Sequence, residues 1–527
     1  MEQLSRRITP LALFMLSLNG IIGSGWLFTP FYAAKIAGPA AVISWIIGGA
    51  AITLVAFTFA EVSTMLPVAG GTARIPHLSH GTLISFTLGW IAWVTSLMLA
   101  PIEVQAVLQY AAWFFPALVS QQGTGSLSAY GYFWAAVLML ALCLFNILSY
   151  RGLMRFNFII FIVKFSVILV TIVAIFSVRF TPVNFTGMGA SMMTADGWKM
   201  IFHAVAAGGI VFAFNGFKSG VELAGEAKNP SFSIPLGTAG AVLASLLIYL
   251  GLQLCFIGAL SPGLITSGWA NLSFSGDIGP FVGLAAGLGL AWLLSLLYIN
   301  AVISPLGAGL IYVTSTARIL YALSKIGYAP KFLSRLNKQH FPVYAILVNF
   351  SLGMLSFLPL PGWQSMVSFL ISAMVITYAM GPIALVSLRM TMPHKERPFR
   401  LPAANILCLI AFYSCNLFSY WTGWETISKL AIILGLGLTV FMLGIVRRQF
   451  KINYKEFKSG MWIIPYLSGL ILFSYLGAYG GKNIVPFGWD FVLLGIFSLA
   501  IFYLAIRSRL AFTSEAEIDL ALMETVL

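Results

Sequence analysis

Apolar residues run along this chain in stretches of about 20, separated by short polar segments, from Leu11 almost to the end. A run of that length crosses roughly 30 Å of hydrocarbon as a helix. Strands of a membrane barrel would instead be short and alternating. Fourteen runs stand out, near 11–36, 40–66, 82–116, 131–150, 156–179, 199–226, 233–260, 281–316, 343–360, 364–389, 403–421, 427–446, 461–479 and 487–506, taken here as spans 1 to 14. The pattern predicts an all-α polytopic membrane protein.

Two spans carry an anomaly. In "NGIIGSGWLFTP" (19–30), Gly20, Gly23 and Gly25 fall within six residues of span 1. Glycine weakens a helix by about 1 kcal/mol relative to alanine. A second loosened run, "FAFNGFKSG" (212–220), interrupts span 6. Gly23 and Gly216 are 193 residues apart, Pro39 and Ser233 at the starts of spans 2 and 7 are 194 apart, and Thr82 and Phe281 near the starts of spans 3 and 8 are 199 apart. Spans 1–5 and 6–10 therefore read as two copies of one plan. Each copy has an odd number of spans, so the second enters the membrane from the opposite side. The expected organisation is a transporter core over 1–390, with repeat one at 9–180 and repeat two at 198–390, then peripheral helices over 391–510 and a tail at 511–527.

Broken helices in matching positions of an inverted repeat point to a binding site at the membrane midplane. Irregular backbone is tolerated there only where protein buries it or it lines a cavity. A broken end with free N–H groups draws an anion, and one with free C=O groups draws a cation. An α-amino acid carries both charges. The alternative is that small residues only let helices pack closely.

Composition and charge sharpen the picture. Of 527 residues, 60% are hydrophobic and 8% charged, with net charge +14. With the N-terminus inside, 22 of the 29 Lys and Arg fall at inner ends or loops, among them Arg6, Arg7, Arg74, Arg151, Arg155, Lys338, Arg448 and Lys451. Five fall at outer ends, and Lys164 and Lys218 lie inside spans. This is the positive-inside distribution. It places both ends in the cytoplasm and matches the basic loops to anionic lipid rather than nucleic acid. Short loops and tails suit the plasma (inner) membrane of a prokaryote. Cys143, Cys255, Cys408 and Cys415 all lie in spans and imply no disulfide. No nucleophile elbow, metal spacing or Walker motif is present, so the reading is of no enzyme, no cofactor and no metal. Oligomeric state is left open.

Four motifs, in order, resemble those of the amino acid–polyamine–organocation (APC) permeases. "GIIGSG" (20–25) is similar to the family's glycine motif in span 1, and "FAEVSTMLPVAGG" (59–71) to its A-E-L…P-x-x-G-G. "FAFNGFKSGVELAGEAKNP" (212–230) is similar to its span 6 segment, and "STARILYALSKIGYAPKFLSRLNKQHFP" (315–342) to its loop after span 8. Residues 212–230 and "LAPIEVQAVLQY" (99–110) further resemble the aspartate–proton symporters within that family. The resemblance implies a leucine-transporter-type 5+5 inverted repeat with discontinuous helices 1 and 6 and about four peripheral helices. It implies that the substrate carboxylate meets Gly23, Ser24 and Gly25, and that the ammonium meets the carbonyls of Ile21, Phe212 and Asn215. Phe212 falls where relatives place an aromatic gate, and Tyr312 where some offer an aromatic from span 8. Gly216 and Lys218 complete the expected substrate site. The family's usual acids at positions 218 and 225 are here Lys218 and Gly225, so roles of those acids do not carry over.

Lys164 stands nine residues past Arg155, about 13 Å deep at 1.5 Å per residue. A charge there costs at least about 2.5 kcal/mol; the alternative is a lysine snorkelling to the inner face. In proton-coupled members a span 5 lysine takes the place of sodium, which makes Lys164 the expected proton-coupling group, with Ser304 as neighbour. Glu103 is open between a partner for Lys164, a second protonatable site, a pocket wall and a structural acid. Lys218 is open between an i,i+4 pair with Glu222 and a free charge for an acidic substrate side chain. Glu61 and Glu226 are expected as gate or loop contacts. The resulting expectation is a secondary transporter importing an amino acid by proton symport, with acidic or neutral substrates favoured over cationic ones. An exchanger is the near alternative and an ion channel the distant one.

Overall fold

The computed structural model describes residues 8–67, 71–120, 125–148, 150–274, 279–337, 341–447 and 454–510. Arg6, Arg7, Lys338, Arg448, Lys451 and the tail 511–527 lie outside the described residues, as do the side chains of Arg74, Arg151 and Arg155. Every one of the fourteen expected spans holds a helix. Among the described residues, eleven helical runs are long and apolar enough to cross a membrane, or twelve with the bent pair Ala195–Ala213 and Asn215–Glu222. The difference from fourteen has two sources. Gly25–Met65 counts as one run although it holds parts of spans 1 and 2, and span 9 is represented by Val343–Leu355, only 13 residues.

Span 1 is two helices. Thr9 caps the first, Pro10–Ile21, by accepting from Ala12 N at 3.3 Å, and Pro10 sits at its first position, where no N–H is missed. The helix stops at Ile22 (ψ 84°), and a new one, Gly25–Ala37, starts after Ser24. Gly38, in the left-handed region at φ 57°, then turns the chain into Ala41–Met65. Span 6 breaks likewise. Ala195–Ala207 ends near Gly209 (φ 90°), Ile210–Ala213 follows, and the chain bends by 41° into Asn215–Glu222.

Two elements depart from the expected boundaries for local reasons. Span 3 lies in the helix Gly71–Ala111, interrupted at Gly81 (φ 74°), so residues 71–80 form a separate leading segment. Span 8 was expected from 281, but Pro280–Gly287 is a short helix of its own. The left-handed Gly289 (φ 72°) separates it from the long helix Ala291–Lys325.

The core forms around the broken pair. Gly216 packs on span 1 so closely that a Cβ there would lie 2.0 Å from Ile21 N, and a Cβ on Gly25 would lie 3.3 Å from Ala213 Cα. The glycines thus serve close packing and helix breaking together. Span 10, Gly362–Thr391, is the most enclosed of the spanning helices, with 94% of its apolar window buried. Ala404–Trp421 packs against it, and Trp489–Arg507 packs against Ala404–Trp421.

Candidate functional site

At the break in span 1 the helix Pro10–Ile21 presents its last carbonyls and the helix Gly25–Ala37 its first N–H groups. Lys164, only 1% exposed, donates from Nζ to Asn19 O at 2.7 Å and also to Ile22 O. It does not snorkel. Two hydrogen bonds from a charged donor contribute about 1.5–3 kcal/mol each. That is enough to offset a burial cost of about 2.5–3.5 kcal/mol for a lysine at a helix centre in the bilayer. The helix dipole adds a smaller term of the same sign. Ser304 donates to the next carbonyl of the break, Gly23 O, at 3.4 Å. Lys164 and Ser304 therefore grip the same loop from spans 5 and 8.

The opposite end of the break is held by an acid. Glu103, fully buried, accepts from Ser24 N–H through Oε2 at 2.9 Å, while its Oε1 has no hydrogen-bond partner. The Ser24 hydroxyl accepts from Trp363 Nε1 at 2.9 Å. No ion pair joins Glu103 to Lys164 among the described residues. The two charges flank the break from its two ends rather than neutralising each other in contact.

Other carbonyls at the break are also occupied. The Tyr312 hydroxyl donates to Gly20 O at 3.3 Å. The Tyr249 hydroxyl lies 3.0 Å from Ile21 O and 3.1 Å from Ala213 O, so one O–H is shared between the two broken spans. Tyr249 was not among the expected site residues. Its only signal is a single polar tip inside the apolar run "LLIYLGL" of span 7, and such tyrosines are common where lipid meets water.

Span 6 supplies the rest. Asn215 Oδ1 accepts from the Tyr378 hydroxyl at 2.9 Å. Lys218 donates to Thr377 Oγ1 at 3.2 Å and lies 4.4 Å from the centre of the Tyr378 ring, a cation–π arrangement. Of the two readings open for Lys218, the i,i+4 ion pair with Glu222 does not form among the described residues; the cation reaches across to span 10 instead. Asn215, Gly216, Lys218, Glu222, Tyr312 and Thr377 all line one cavity beside the break. Phe212 stands edge-on to Trp363 at 5.7 Å, and Trp363 stacks on Phe28 at 5.1 Å and on Tyr32 at 5.8 Å. These four rings make a continuous aromatic layer across spans 1, 6 and 10, on the side of the break away from Lys218.

Of the expected acids elsewhere, Glu61 is fully buried and bound by Arg389. Glu226 lends its backbone carbonyl to Ile8 N at 3.0 Å, tying the approach to span 1 to the end of span 6. The four cysteines are buried and unpaired.

A family model described as amino acid permease matches residues 8–441. The chain is 36% identical to the glutamate/serine transporter AimA of Bacillus subtilis, over 96% of this chain and 95% of that one. It is 34% identical to the aspartate-proton symporter of the same organism, over 94% of each chain. It is also 26% identical to the branched-chain amino acid permease BcaP of Bacillus subtilis, over 86% of this chain and 95% of that one.

Proposed function

Because this chain belongs to the amino acid permease family, we propose that it imports an amino acid by proton symport through alternating access. Acidic or neutral side chains are favoured over cationic ones. One observation carries the reading. A buried lysine ammonium, Lys164, holds the carbonyls of Asn19 and Ile22 at the break in span 1. Losing its proton removes one donor and the charge that both carbonyls face. The first half of span 1 is then free to move, which links proton transfer to the movement that opens the site.

Residues 1–390 form the moving core as two inverted repeats of five spans, spans 11–14 brace it, and both ends face the cytoplasm of a prokaryotic inner membrane. The substrate lies between the broken ends and the adjoining cavity, with its backbone charges at Ile21, Gly23, Ser24, Gly25 and Asn215. Its side chain points along Gly216 toward Lys218 and Tyr312, and Phe212 closes it off with Trp363. Lys218 supports the preference for acidic side chains. Its ammonium lines the cavity, and the hydroxyl and ring it touches, Thr377 Oγ1 and Tyr378, are uncharged. The names of two relatives, a glutamate/serine transporter and an aspartate-proton symporter, agree with acidic and small neutral substrates.

The experiment is uptake by purified protein in liposomes from a panel of labelled amino acids. Accumulation is expected only under an inward proton gradient. Counterflow without gradient-driven accumulation would favour an exchanger, and arginine or lysine as best substrate would overturn the proposed preference.

A further inference from the structure

The two ends of the break in span 1 are already filled by this protein's own side chains. An ammonium, from Lys164, sits on the C=O end at Asn19 and Ile22, and a carboxylate, from Glu103, sits on the N–H end at Ser24. One ammonium and one carboxylate set across a single backbone break reproduce the charge pattern of an α-amino acid. Glu103 is the less firmly held of the two. It uses only Oε2, and its Oε1 is buried without a hydrogen-bond partner, which disfavours the docked carboxylate. Gly23 is bare where that oxygen lies, since a Cβ would fall 2.7 Å from Oε1. The helix that follows Ser24, Gly25–Ala37, is 13 residues long, so its N-terminus adds a positive dipole end to the N–H that Glu103 holds.

We infer that Glu103 is a tethered stand-in for the substrate carboxylate: it occupies Ser24 N–H in the empty carrier, and an incoming amino acid takes that N–H by displacing it. This inference rests on the amino acid symport reading above. Displacement leaves the Glu103 carboxylate without its backbone donor in apolar surroundings, so it takes up a proton delivered as hydronium from the outer solution, the carboxyl O–H bond forming as a hydronium O–H bond breaks and leaves water. No other bond changes. When the substrate leaves on the inner side, the carboxyl group returns the proton to water there and docks again on Ser24. The charged and titratable groups facing Glu103 are Lys164 from span 5, Tyr249 from span 7 and Tyr312 from span 8. Lys164 is the one cation among them, and it remains engaged with span 1. A ligand with no carboxylate cannot make the exchange, which excludes simple amines and polyamines.

The test uses purified full-length protein and L-glutamate, L-aspartate and L-serine as probes. Affinity in the wild type is expected to fall about tenfold per pH unit on the alkaline side, as uptake of one proton per substrate requires. Glu103→Gln keeps an oxygen for Ser24 N–H but has no proton to exchange, so its affinity is expected to vary by less than about twofold per unit. An undiminished slope in Glu103→Gln overturns the inference. Infrared difference spectra at constant pH supply a second readout that does not need the variant to fold. Substrate binding to the wild type is expected to raise a protonated-carboxyl stretching band, and binding without that band also overturns the inference. If the wild type binds no amino acid at all, the symport reading itself fails, and this inference falls with it.

Discussion

Arg389 grips Glu61 with two parallel hydrogen bonds, Nε to Oε1 at 2.7 Å and Nη2 to Oε2 at 2.6 Å. The carboxylate is fully buried and also accepts from Leu401 N–H at 2.6 Å, while Arg397 Nε lies 3.7 Å away. Span 2, span 10 and the segment leading to span 11 are thus tied at one point. Removing one partner of such a pair leaves the other charge buried and uncompensated, at a cost of about 3–5 kcal/mol. Glu61→Ala is expected to lower the unfolding midpoint of the purified protein strongly. Arg389→Lys should be damaging as well, because an ammonium cannot offer the parallel fork. Melting curves of both variants check this, and an Arg389→Lys midpoint equal to wild type would show that the fork geometry is irrelevant.

Lys164→Gln retains a donor for Asn19 O or Ile22 O but carries no exchangeable charge. Uptake by the variant should respond less steeply to an imposed pH gradient than uptake by the wild type, since only the Glu103 proton remains, while counterflow of preloaded substrate persists at a reduced rate. Gradient-driven accumulation that matches wild type would remove Lys164 from the coupling mechanism. The readout separates coupling from folding, since a misfolded variant would lose counterflow too.

The sequence makes the spans and both broken helices legible because their signals are local. Run length reports the spans, and clustered glycines report the breaks at Gly23 and Gly216. The charges Lys164 and Glu103 are visible because ionisable groups at that depth are costly enough to need a reason. What stayed hidden depends on residues brought together from far apart. Nothing local marks Tyr249 as the hydroxyl shared by Ile21 and Ala213. Helical spacing does put Lys218 and Glu222 on one face, but Lys218–Glu222 is a helix of only five residues, and the ammonium finds Thr377 and Tyr378 on span 10. Span 8 was placed too early because Pro280–Gly287 is as apolar as a membrane segment, and only the left-handed turn at Gly289 separates it.

Gly216→Ala tests whether the two broken spans must touch. The added methyl would sit 2.0 Å from Ile21 N and 2.1 Å from Gly20 C, against backbone that cannot swing aside as a side chain can. Overpacking of this kind typically costs about 1–3 kcal/mol. It would also push span 1 away from span 6, so uptake should fall well below what lost stability alone explains. Gly189→Ala, with nothing within 4 Å of its Cβ position, is the control and should be indistinguishable from wild type. Full uptake by Gly216→Ala would mean that the close approach is not needed for transport.

Lys218→Gln addresses substrate choice. The ammonium lies in the cavity beside the break, held by Thr377 Oγ1 and the face of the Tyr378 ring. Both contacts leave donor capacity on a group with three N–H bonds. A substrate side-chain carboxylate that engages it gains a charge-assisted hydrogen bond of about 1.5–3 kcal/mol, a factor of roughly 10 to 100 in affinity. A neutral side chain gains nothing comparable. The substitution should therefore raise KM for L-glutamate and L-aspartate by at least about tenfold and leave KM for L-serine within about twofold. Lys218→Glu should go further and reject acidic substrates, since like charges in one enclosed cavity repel. A uniform rise in KM across the panel would assign Lys218 to holding span 6 against span 10, and the preference for acidic substrates would need another source.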